Sequence, residues 1–294
     1  MQSWLEYLAF LSWQNQSLIL EDFENVFRNQ SRIHSAWQLI NFISQPKTKH
    51  YLQHQKNWWK QAEKDKKDCK NLKIHTFWPF HPNYPQTLFK MEKPPMLISW
   101  KGEREFCWKN YFLFSVVGSR EPYRDTLLWM DMHLSLFLKR KKGEVCVMSG
   151  GARGVDQKAH ALCLASQNPT LCFLPCGIKH YYPSALKKWE KPIIQSGGGF
   201  VSVFPLSAPM QKSHFHIRNK TLAFLSDMIL IAQAQSRSGT MVTARYALDA
   251  GVTISALPGS ALYSGYRGNL SLINDGCFML RDHLDLETLY HSCR

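Results

Sequence analysis

Acidic side chains are what this sequence is short of. Its 294 residues hold 22 aspartates and glutamates against 36 lysines and arginines, a formal charge of +14 with a pI of about 9.4. A balance of this kind suits a polyanion such as nucleic acid, although a basic surface with no special partner meets the same numbers. Long apolar runs are missing as well. No stretch approaches the roughly 20 residues that cross a bilayer, and the N-terminal MQSWLEYLAFLSW carries Glu6 and no basic lead, so neither a membrane span nor a secretory leader is expected. No two cysteines are spaced C-x-x-C. The eight present are scattered, several inside apolar runs such as VCVM (145–148), as buried free thiols in a reducing, cytoplasmic compartment would be. Cys172 and Cys176 have no histidines at metal-ligand spacing, so no zinc site is expected. Two phosphate signatures are also absent: the Walker sequence GxxxxGK[ST], and GxGxxG after the first strand, which offers only GSR. Machinery for NTP hydrolysis and for a nicotinamide dehydrogenase is thereby missing, and no cofactor is expected.

What is present falls into two parts. Up to about residue 44, apolar residues recur at helical spacing (Trp4, Leu5, Leu8, Leu11; Phe23, Val26, Phe27; Ile33, Trp37, Ile40), which predicts a small helical N-terminal domain over 1–73. Its end, residues 47–73, carries nine lysines with Trp58 and Trp59 among them: a helix solvated on its charged face, or an arm that steers phosphate. Prolines 79, 82, 85, 94 and 95 then punctuate an extended lead-in to a short strand in PPMLISWKG. Apolar strands follow at YFLFSVVG (111–118), EVCVMSGG (144–151), TLCFLPCG (170–177), GFVSVFP (199–205), MILIAQA (228–234) and TISALPG (253–259). Most intervals could hold a helix, LLWMDMHLSLFLKR (127–140) and TARYALDAG (243–251) being examples. Continuous apolar strands alternating with helices predict an α/β fold, a doubly wound and mostly parallel sheet over 74–285, with 286–294 as a short tail.

Almost every strand ends in glycine and hydroxyl residues: VVGSR, MSGGARG, LPCG, QSRSGT, ALPGS. In a doubly wound sheet these ends share one edge, where ligands bind. Gly118, Ser119, Ser149, Gly150, Gly151, Ser238, Gly239 and Thr240 are therefore candidates to receive phosphate on backbone amides and hydroxyls. Glycines that merely make tight turns are the simpler reading of any single loop. Asp156 and His160, four apart on the helix opened by SGGARG, are read as a hydrogen-bonded structural pair, because no nucleophile or metal set accompanies them.

The series VVGSR (116–120), SGGARGVDQKAH (149–160), CGIKHYYP (176–183) and SGGGFVSVFP (196–205) resembles, in order and spacing, the DNA processing protein A family (DprA, also called Smf). So do KSHFHIRNKTLAFLSD (212–227), SRSGTMVTARYALDAG (236–251), ALPGS (256–260) and GNLSLINDG (268–276), with HPNYPQTLFKMEKPPMLISWKG (81–102) as the lead-in. The resemblance covers about 75 to 280 and implies an extended Rossmann-like domain, usually dimeric. It implies a protein that binds single-stranded DNA in natural transformation, shields it and helps load the RecA recombinase, with no catalytic step. Arg120, the loop of Ser149, Gly150 and Gly151, Lys212, Phe215, Arg218 and Asn219 fall where the family's DNA pocket is. Physics agrees, since single-strand binders join a cationic groove to an aromatic platform. Taken alone, Phe215 could be a core aromatic and Arg218 the partner of an internal carboxylate.

Two departures stand out. Val203 and Gln233 occupy positions where the family commonly has Glu, and the winged-helix module of many members is not expected here. The chief rival is a Rossmann-like group, the cytokinin-activating phosphoribohydrolases, whose PGGxGTxxE loop supplies a glutamate. Here SRSGTMVT puts Thr243 in that place. A small-nucleotide sensor is a further reading, one in which the +14 charge has no role.

Overall fold

The computed structural model of the chain describes residues 4–13, 18, 20–34, 36–44, 46–54 and 58–294. The described residues build one sheet of nine strands: β1 (His75–Phe77), β2 (Ile98–Gly102), β3 (Phe112–Gly118), β4 (Val145–Ser149), β5 (Thr170–Phe173), β6 (Gly199–Ser202), β7 (Met228–Gln233), β8 (Thr253–Ala256) and β9 (Phe278–Met279). Their order is β1-β2-β6-β5-β4-β3-β7-β8-β9. From β6 across to β9 every pair is parallel, and only β1 and β2 run antiparallel to their neighbours. The expected doubly wound α/β sheet is thus present. The short β1 and β9, and the antiparallel seam of β2 on β6, are additions that apolar runs of two or three residues could not announce.

Burial on both faces explains the unbroken apolar strands. Leu113 and Val117 of β3 join Ile229 and Ile231 of β7 on one face, while Phe114 and Val116 join Met228 and Leu230 on the other. Each fully covered side chain of this kind contributes roughly 1.5–3 kcal/mol. The chain lays β3 to β6 outward in one direction and then returns to lay β7 to β9 in the other. Between β3 and β7 the flanking loops therefore diverge, and a crevice opens at the strands' C-terminal ends. The expected helices run from Arg124 to Arg140, through a wider turn at Met130–Leu134, and from Gly239 to Ala250. Gly251 stops the latter in the left-handed conformation (φ 69°) that glycine adopts most readily.

Before the sheet lie the helices Trp4–Ser12, Leu20–Arg28, Pro46–His54 and Trp58–Asn71. Their apolar residues Leu8, Phe10 and Phe23 belong to the same buried cluster as Leu174, Phe200 and Leu206, so the core is continuous past residue 73. Helix Trp58–Asn71 buries Ala62 and Cys69 and exposes Lys60, Lys64, Lys67 and Lys70, which makes it a solvated face. Residues 55–57, with Lys56, lie outside the described residues. The expected tail from 286 is corrected by the helix His283–Cys293, which Asp282 caps and which buries Leu286, Leu289 and Tyr290. Tyr290 packs edge-on against Phe112 and Phe137.

The cysteines are unpaired, and five of the eight are buried. His160 is buried in the helix Val155–Ala165 and is not bonded to Asp156: its Nδ1 meets the Thr170 hydroxyl at 2.7 Å and its Nε2 has no partner among the described residues. Because Thr170 donates to the Val147 carbonyl, it is the imidazole that donates to Thr170. Burial lowers the His160 pKa to about 4. The unfolded chain, titrating near 6.5, then takes up the proton first, so stability present above pH 6.5 is lost as pH falls toward 4, by about 1.4 kcal/mol per unit at most. His160→Gln should remove this part of the acid sensitivity, read as the difference in urea midpoint between pH 7.5 and 5; an unchanged difference would contradict it.

Candidate nucleic-acid interface

At the β3–β7 switch point a pocket of about 650 Å³ opens. Its wall includes Gly118, Ser119 and Arg120 at the end of β3; Ala152 and Asp156 after β4; Phe215, Arg218 and Asn219 on the helix His214–Leu225; and Ser238, Gly239 and Thr240 at the start of helix Gly239–Ala250. Gly118 is required because helix Val155–Ala165 passes close: an added Cβ would stand 2.7 Å from Val155. The Ser238 hydroxyl caps Met241 N, and the amides of Gly239 and Thr240 make no hydrogen bond among the described residues. This helix end, with its positive dipole terminus, suits an anion.

Phe215 is half-buried rather than in the core. Its helix is held at the N-terminus by His214, whose ring stacks on Phe204 at 4.0 Å and meets the Pro175 carbonyl at 3.1 Å through Nδ1. The guanidinium of Arg120 lies 5.9 Å from the Phe215 ring centre and that of Arg218 lies 5.6 Å from it. The two cations differ in setting. Arg120 is exposed. Arg218 is buried, at 7% exposure, and its Nε has no hydrogen-bond partner among the described residues. Burial pushes the Arg218 pKa down, Asp156 supports the charge, and Arg120 opposes it. Two guanidinium groups that repel across one ring would both gain from an anion between them.

Asp156 is the carboxylate whose charge supports Arg218. Burial raises its pKa while Arg218 and the amides of Ala152 and Gly150 lower it. Ala152 N donates to its Oδ2 at 3.2 Å. This corrects the expectation for the loop SGGARG. Ser149, Gly150 and Gly151 are buried, the Ser149 hydroxyl donates to the Val116 carbonyl, and the turn's amides face a carboxylate of the chain itself. Gly150 is nonetheless indispensable to the arrangement, since an added Cβ would lie 1.4 Å from Arg218 Nη1. Lys212 is exposed and does not line the pocket. Sequence reasoning missed Tyr123, Gln235 and Gly265 as lining residues. Tyr123 stands against Tyr263 and Tyr266, and the aromatic spacing of YSGY was the available signal.

The sequence pattern described as DNA recombination-mediator protein A matches residues 75–290, nearly three quarters of the chain. The chain belongs to this family. Among curated relatives, Protein Smf of Escherichia coli K12 is 32% identical over 203 residues, 69% of this chain and 52% of that protein. DNA processing protein DprA of Streptococcus pneumoniae R6 is 27% identical over 203 residues, 69% of this chain and 70% of that one. The chain spans about half the length of the Smf proteins of E. coli and Synechocystis. The X-ray structure of S. pneumoniae DprA superposes with a TM-score of 0.76 at 21% identity, covering 96% of this chain and 97% of that one. DNA processing protein A of Helicobacter pylori gives 0.64 at 24% identity, covering 74% and 96%. At such identities these likenesses establish the fold of DNA recombination-mediator protein A, and the extended Rossmann-like reading stands.

Within the family fold, Arg218→Ala would remove the cationic charge that favours the ionised form of the buried Asp156, at a cost of about 0.5–3 kcal/mol. Because the orphaned carboxyl is relieved by protonation, the deficit should be larger at pH 8 than at pH 5. The double change Arg218→Met with Asp156→Asn should recover most of it, and Arg120→Ala should stay within about 0.5 kcal/mol of the parent. Urea denaturation of the four proteins at both pH values is the measurement; equal stability of Arg218→Ala and Arg120→Ala would refute the coupling of the two buried charges.

Proposed function

We propose that this protein binds single-stranded DNA in the switch-point pocket, with no catalytic step. The observation that carries this reading is the Phe215 ring flanked by Arg120 and Arg218 and facing a helix start with unpaired amides. An aromatic ring serves any base, guanidinium groups and helix-end amides serve any phosphate, and neither reads sequence. Ser119, Asn219, Ser238 and Thr240 add polar groups around the phosphate path, and Lys212 attracts the strand from outside the pocket. The relatives' names support the assignment, as does the H. pylori protein, whose structure concerns a single-stranded DNA binding mode. Its setting is natural transformation in the cytoplasm: a homodimer shields incoming DNA and helps load RecA, with residues 1–73 as an accessory helical domain and 74–285 holding the DNA.

The phosphoribohydrolase alternative finds little here. Thr243 is buried with its hydroxyl on the Gly239 carbonyl. Asp156, the buried carboxylate of the pocket wall, is engaged by the turn and by Arg218.

The test is fluorescence anisotropy with labelled strands of about 20 to 40 nucleotides across a salt series. Single strands should bind more tightly than duplex of the same sequence. Arg120→Ala should weaken binding to every sequence and flatten the log–log salt slope by about 0.7. Phe215→Ala should cost about 5- to 100-fold with the slope unchanged. Equal affinity for duplex and single strand, or adenine released from AMP, would overturn the proposal.

A further inference from the structure

Beside the pocket, and outside its wall, stands Tyr182. Its ring meets the Phe215 ring edge-to-face, with centroids 5.8 Å apart and planes at 76°. The side chain is 36% exposed, and its hydroxyl makes no hydrogen bond among the described residues. Phe215 already has two guanidinium groups at its ring, whereas the recorded ring contact of Tyr182 is the one with Phe215. A lone exposed tyrosine is ordinary. One that abuts an aromatic platform at the rim of a cationic pocket has a second reason to be there.

The chain that follows points the same way. After Pro183 comes the turn Ser184–Trp189, whose Leu186 is fully buried beneath the loop after β4, so close that a Cβ on Gly151 would stand 2.7 Å from it. This anchor holds the turn on the ligand edge of the sheet, and the adjoining Lys187 and Lys188 are exposed. Along the chain, Tyr182 is thus followed by two further exposed cations.

Building on the proposed function, we infer that Tyr182 is a second base-stacking surface, over which single-stranded DNA leaves the Phe215 site toward Lys187 and Lys188. Planes at 76° cannot receive two bases that stack on each other, so the strand bends between the two bases. Such a bend excludes duplex DNA, whose stacked pairs cannot splay at this cost.

The experiment is a double-mutant cycle on the full chain, with anisotropy on oligothymidylates of about 4 to 16 nucleotides. Tyr182→Ala should weaken binding of the longer strands by about 5- to 100-fold, and Tyr182→Phe should stay within about twofold. The loss must persist in the Phe215→Ala background, because an independent platform acts without its neighbour. Lys187→Gln with Lys188→Gln should flatten the salt slope for the long strands and leave the shortest unaffected. A photoreactive thymine analogue should crosslink to residue 182 in the parent and not in Tyr182→Ala. If Tyr182→Ala costs nothing in the Phe215→Ala background, the tyrosine only orients Phe215 and the inference fails. Wild-type binding by Tyr182→Ala also overturns it. Should Arg120→Ala and Phe215→Ala bind like the parent as well, the pocket reading itself has failed, a result separable from failure of Tyr182 alone. Because Tyr182 is exposed, an unchanged urea midpoint confirms that each binding loss is local.

Discussion

A guanidinium held out of water beneath an aromatic ring is the constraint on which the ligand edge of this protein depends. Arg218 gives up most of its hydration, and Asp156 compensates. Asp156 is itself buried, and the charge of Arg218 and the amides of the β4 turn are among the influences that favour its ionised form there. Gly150 is the place where the guanidinium fits against the backbone. Thus the turn after β4, the helix Val155–Ala165 and the helix His214–Leu225 meet where the Arg218 guanidinium lies against Gly150 and the charges of Arg218 and Asp156 favour one another. The outward product is a positive charge that cannot swing away, set under Phe215. Arg120, exposed and free to move, meets the same ring from the loop after β3.

This arrangement explains why a glycine-rich turn can mislead. SGGARG has the composition of a phosphate cradle, and its amides do converge on an anion. The anion is the carboxylate four residues onward in the same segment. With the cradle filled from within, the groups left to meet an outside anion in the crevice are the guanidinium groups and the amides of Gly239 and Thr240 at the start of helix Gly239–Ala250. An amide cradle would grip one phosphate firmly. A ring with one fixed and one mobile cation tolerates the variable spacing of successive phosphates in a flexible strand, which is the harder demand for a single-strand binder.

Much of the fold was legible because burial on two faces leaves a plain mark. The strands from YFLF to TISA announced themselves as unbroken apolar runs, and their glycine-ended loops placed the ligand edge. Elements without such a mark were not legible. β1 and β9 are two or three residues long, and the pairing of β2 with β6 joins segments about a hundred residues apart. The helix His283–Cys293 was hidden because Leu286, Leu289 and Tyr290 sit among polar residues near the chain's end. In the pocket, residue types at the loops could nominate Arg120, Phe215 and Ser238. They could not say that Arg218 lies buried against Gly150 or that Ser149 faces inward, since both depend on contacts between segments about 70 or 30 residues apart.

The neutral residue at the end of β7 fits the same electrostatic logic. Where the family pattern commonly has glutamate, Gln233 accepts hydrogen bonds through Oε1 from Tyr123 N at 2.7 Å and from the Thr126 hydroxyl at 2.8 Å. The structural task is that of an acceptor, and an amide oxygen performs it without a full negative charge on the pocket wall. Of the remaining carboxylates of that wall, Glu121 pairs with Arg153 at the surface, and Asp156 accepts from the Ala152 amide with the Arg218 charge favouring its ionised form. Val203, at the other departure, packs against the apolar core and has no electrostatic role to lose. An amide at 233 in place of a carboxylate lowers the repulsion that an anion in the pocket would meet, and it leaves one carboxylate fewer for acid–base chemistry there.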